Sequence, residues 1–61
     1  MTDYRERIQE RASVADVALN HEQLAILNQQ VNDRIKSGLH EFDAFDYAYF
    51  YIKNNYVPNG G

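Results

Sequence analysis

The sequence has no cysteine and no tryptophan, a single proline and three glycines. Without cysteine, disulfide staples, thiolate zinc sites and c-type haem attachment are excluded. The glycines stand at Gly38, Gly60 and Gly61, so nothing resembles a glycine-rich phosphate loop. Neither Ser13 nor Ser37 sits in a glycine-flanked nucleophile elbow. Long apolar runs are also missing. The longest, Tyr47-Ala48-Tyr49-Phe50-Tyr51-Ile52, falls far short of the roughly 18 residues of a membrane span. No basic-then-apolar leader follows Met1. These absences lead us to expect a soluble, cytoplasmic protein.

Cations are scarce. Six Lys or Arg stand against nine Asp or Glu, a formal net charge of −3. Affinity for phosphate backbones comes largely from cationic side chains that release counterions, so nucleic acid is a poor partner for this balance.

At 61 residues the chain is expected to form one helical domain over 1–57, with a loose tail at 58–61. A chain this short buries only about 60% of its unfolded surface, so its core is marginal. With disulfides excluded, association with copies of itself or with another protein is the leading remaining support, and a homodimer is the favoured form.

From Asp3 to Ser37 there is neither glycine nor proline, and Glu, Gln, Arg, Ala and Leu dominate, all of which favour helix. A single long helix would carry a heptad seam through Val14, Val17, His21, Leu24, Asn28, Val31 and Ile35, with polar layers at His21 and Asn28. Two helices avoid burying His21. In that reading Thr2 or Asp3 caps the first helix and Asn20 caps the second, with Gln23 as its capping-box partner. Gly38 then supplies a left-handed stop after Lys36. We favour two helices, near 3–19 and 21–36.

Residues 43–55 are expected to form a third helix with Asp43 as its N-cap. Phe42, Phe45, Tyr49, Ile52 and Tyr56 share one face at spacings of three and four. Residues 47–52 also suit a strand, but both strand faces would be apolar and no partner strand is evident. The expected fold is therefore all-α, a three-helix arrangement completed by oligomerisation. Its core should draw on Ile8, Ala15, Leu19, Leu24, Leu27, Val31, Ile35, Phe42, Phe45, Tyr49 and Ile52.

Motifs for chemistry are few. His-Glu occurs at His21-Glu22 and His40-Glu41, but a zinc-protease helix needs a second histidine four residues on, where Ala25 and Ala44 stand. No EF-hand spacing is present. Glu41, Asp43 and Asp46 form an acidic cluster that suits the positive start of the third helix. We expect no catalytic, metal or cofactor site. A helix-turn-helix would use 22–36 as its reading helix, since Gln23, Asn28, Gln29, Gln30, Asn32 and Arg34 can address base edges. Its only cations are Arg34 and Lys36, and its turn has no glycine.

The aromatic residues are the most informative feature. Tyr and Phe number eight, and seven of them lie between Phe42 and Tyr56. One stripe can complete a core, but Tyr47, Phe50 and Tyr51 point elsewhere on the same helix. So small a domain cannot bury a helix on every side, and tyrosine-rich clusters suit protein interfaces. The expected interaction residues are Tyr47, Phe50 and Tyr51, flanked by Glu41, Asp43 and Asp46. The profile resembles small accessory proteins of phages and mobile elements: short, acidic, cysteine-free and rich in aromatics. The expected function is a non-enzymatic module that binds and modulates or inhibits a larger protein. A structural assembly protein with symmetric contacts and a small helix-turn-helix regulator are the alternatives.

Overall fold

The computed structural model describes residues 2–56, and the tail expected at 58–61 lies outside them. Three α-helices follow one another: α1, Arg5–Val14; α2, His21–Lys36; and α3, Glu41–Asn55. Each helix packs on both others. The break between α1 and α2, and the helical state of residues 47–52, are as the sequence suggests.

Residue chemistry sets the helix ends. Asn20 and Gln23 form a reciprocal capping box: the Gln23 amide donates to the Asn20 side chain (2.8 Å), and the Asn20 amide donates to Gln23 Oε1 (2.9 Å). Gly38, at φ 111°, ends α2 in the left-handed region. There the Gly38 amide reaches the Ile35 carbonyl and the Leu39 amide reaches Arg34 (3.0 and 3.1 Å).

The end of α1 repeats this pattern without a glycine. Asp16 takes φ 59°, its amide donates to Ser13 (3.0 Å), and the Val17 amide donates to Ala12 (2.8 Å). Helix α1 therefore stops at Val14, five residues before the expected Leu19. The start of α1 also differs. Tyr4 occupies the N-cap position without a capping side chain, while Asp3 accepts from the Arg5 amide at 3.0 Å. The start of α3 differs too: His40, not Asp43, is its N-cap, accepting at Nδ1 from the Phe42 amide (3.2 Å). Glu41 and Asp43 instead occupy the first turn, where carboxylates complement the helix dipole.

The core is Ile8, Ala12, Val17, Leu27, Val31, Ala44, Phe45, Ala48 and Ile52. Phe45 anchors it. Tyr4 meets its ring edge-on with centroids 5.3 Å apart, and the Arg7 guanidinium lies 4.2 Å from its centroid. Ala15, Leu19, Leu24 and Ile35 are half-buried against this cluster rather than central to it. Tyr49 is half-buried, and Phe42 is exposed, stacked on His40. The expected aromatic stripe is thus turned from the true inner face of α3, which runs Ala44, Phe45, Ala48 and Ile52. Two alanines one turn apart let the neighbouring helices approach, and larger rings there would hold them off.

The segment before α1 is tied down by α2. Asn32 donates from Nδ2 to the Thr2 carbonyl (2.8 Å) and accepts from the Thr2 amide (3.1 Å), while Asn28 accepts from the Tyr4 amide (2.8 Å). Two residues with base-reading potential therefore bond the chain's own backbone.

Candidate protein-interaction surface

Helix α3 carries two stripes on opposite sides. The inner one is the core face just described. The outer one is Asp43, Asp46, Tyr47 and Phe50, at i, i+3, i+4 and i+7, which makes them neighbours along one side of a helix. All four are exposed. Tyr47 and Phe50 keep 54% and 56% of their surface in solvent, and Phe42 keeps 62%. Large rings this open gain little from folding.

Leu39 completes the surface. It follows the terminator glycine of α2 and, with Asp43, Asp46, Tyr47 and Phe50, lines an open groove of about 390 Å³. The Leu39–Arg34 backbone bond fixes this wall. Arg34 sits at the edge, its guanidinium 5.0 Å from the Tyr47 ring centroid. That cation–π contact orients the ring, which stays exposed.

The salt bridges among the described residues are Arg5–Asp3 and Arg7–Glu41. Asp43 and Asp46 therefore face the groove without a cationic partner. Glu41 is separate from them: its ion pair with Arg7 staples the start of α3 to α1, so it contributes to the fold rather than to the groove.

Of the six expected interaction residues, the structure brings four together: Asp43, Asp46, Tyr47 and Phe50. Glu41 faces α1. Tyr51 is half-buried against the core and meets the Tyr56 ring edge-on at 5.9 Å. Burial, with Tyr51 adding to it, raises the Tyr56 phenol above its usual pKa of 10.0. Sequence reasoning missed Leu39 and Arg34. Their signal lies in tertiary packing, which sets α2's last turn against α3; no spacing within either helix reveals it.

Among the described residues, no three His, Asp or Glu converge as a metal-ligand set. His21 opens α2 at the surface. The hydroxyls of Ser13 and Ser37 donate to the helix carbonyls of Gln9 and Arg34. No helix among the described residues is long and apolar enough to cross a membrane. Compared with protein-family models, with curated proteins and with solved structures, the chain matches none.

Proposed function

We propose that this chain is a non-enzymatic protein-binding module whose outer α3 face docks on a larger protein and modulates it. One observation carries the reading: Tyr47 and Phe50 are more than half exposed beside Leu39, although the nine-residue core is closed without them. Aromatic side chains with an apolar body and few rotamers are what interface centres select. The two serine hydroxyls bond helix carbonyls, which leaves neither poised as a nucleophile. Because one chain buries Phe45, Ile8, Leu27, Ile52 and Val31 essentially completely, the motive for self-association weakens and a different partner is favoured.

The test is site-specific photocrosslinking in the source cell. A photoreactive residue at position 50 is expected to capture one discrete protein that the same residue at position 6, where exposed Glu6 lies on α1 away from α3's outer face, does not. Equal capture from both positions would contradict the proposal.

A further inference from the structure

Resting on the docking reading above, we infer that the α3 groove takes a cationic amphipathic helix of a different protein, with an apolar side chain seated between Tyr47 and Phe50 and Lys or Arg side chains on Asp43 and Asp46. Shape, charge and length support this occupant.

The apolar part is concave: Leu39, Tyr47 and Phe50 line a hollow of about 390 Å³, with Asp43 and Asp46 in the same lining. A concavity of that kind accepts a convex ridge, and a helix presenting anchors at spacings of three, four and seven supplies one. From Asp43 to Phe50 the outer stripe runs about 10 Å, close to two turns of such a helix.

The carboxylates decide the sign. Asp43 and Asp46 line the groove, and neither is among the ion pairs of the described residues. Arg34, the cation at the edge, is engaged on the Tyr47 ring. A ligand that brings positive charge beside its apolar anchor gains attraction at both carboxylates, and an acidic one meets repulsion. The chain as a whole, at −3, adds steering in the same direction.

A second copy fits poorly. A twofold axis through this face would set hollow against hollow and bring Asp43 and Asp46 against their own images. An anionic lipid surface is disfavoured by the same carboxylates.

The experiment uses the full chain and two synthetic helices, one with leucines on one face and lysines on the other, the second with glutamates replacing the lysines. Backbone amide shifts are followed by nuclear magnetic resonance. The lysine peptide is expected to move the amides of Leu39, Asp43, Asp46, Tyr47 and Phe50 saturably, and added salt should weaken the effect. The glutamate peptide should leave them unmoved. The double variant Asp43→Asn, Asp46→Asn should keep its spectrum and bind the lysine peptide about three- to tenfold more weakly, as two surface ion pairs imply. Equal binding of both peptides, lysine-peptide shifts scattered over the molecule, or an unchanged affinity of the double variant would each overturn the inference. So would concentration-dependent shifts of the same amides without peptide, which would assign the groove to a second copy. That last result would also count against docking on a different protein; none of the others removes a partner captured from position 50, so the inference can fail while the docking reading stands.

Discussion

Asn32 holds the backbone of Thr2 by both of its polar groups, donating to the carbonyl at 2.8 Å and accepting from the amide at 3.1 Å. A side-chain amide thereby does for the segment before α1 what a neighbouring strand would do. The segment in turn carries Tyr4 onto the edge of Phe45. Replacing Asn32 by Ala is expected to cost about 1 kcal/mol, since each exposed hydrogen bond is worth roughly that or less. In a domain this small the midpoint of thermal unfolding should fall by about 4–8 °C. Thermal melts followed by circular dichroism check this, and an unchanged midpoint would mean that the contact contributes nothing.

The two left-handed terminators make opposite predictions. Asp16 holds φ 59° with a side chain that resists it, so Asp16→Gly should stabilise the protein by about 0.5–1 kcal/mol. Gly38 sits at φ 111° in open space, where a Cβ would meet no atom within 4 Å beyond Gly38 itself and its two chain neighbours. Gly38→Ala should therefore destabilise by about 1 kcal/mol or more through backbone strain alone. Urea unfolding of both variants measures the two signs.

Phe45 and Phe42 separate the inner from the outer faces of α3. Phe45 is 1% exposed, and Phe45→Ala should cost about 3–5 kcal/mol, enough to unfold a marginal domain. Phe42→Ala should fall within about 0.5 kcal/mol of the parent, as surface changes do. Comparable losses for the two would show that the stripe had been assigned to the wrong face.

Which features could be read from the sequence follows from where their physical cause lies. The capping box of Asn20 and Gln23 and the stop at Gly38 are local, and each is written in residues a few positions apart. The end of α1 is equally local, but Asp16 takes a conformation that glycine usually marks, so no breaker announced it. The buried face of α3 lies about one residue away from the aromatic stripe, because ring size alone points to Phe42 and Tyr49 rather than to the small residues beside them. The alanines at 44 and 48 decide the face by allowing close helix packing, which only the tertiary arrangement reveals. Tyr47 and Phe50 stood out because they exceeded what one core could absorb. Leu39 and Arg34 join them only through the meeting of α2 and α3.

Asp3 provides a test by pH. Hydrogen bonds from the Arg5 side chain and then from its backbone amide hold the carboxyl at about 2, below 3.8. Its folded-state pKa is lowered, so its contribution is complete above about pH 4 and is lost as pH falls towards 2. The pair is exposed and screened by salt, so the effect on global stability should be slight. Side-chain carbon shifts should titrate with a midpoint near 2 in the parent and return towards 3.8 in Arg5→Ala. A parent midpoint near 3.8 would contradict the contact.

A binding face on α3 requires Tyr47 and Phe50 to be surplus to the fold, and thermal unfolding of the double variant Tyr47→Ala, Phe50→Ala tests that most directly. Loss of the Arg34 contact with Tyr47 and of the edge-on Tyr49 contact with Phe50 costs about 1–2 kcal/mol together, while two alanines in a helix return about half of that. The predicted result is an unchanged helical signal and a cooperative midpoint within about 5 °C of the parent. A variant that has lost its helical signal or its cooperative transition would place these rings in the core and remove the basis for a binding face on α3.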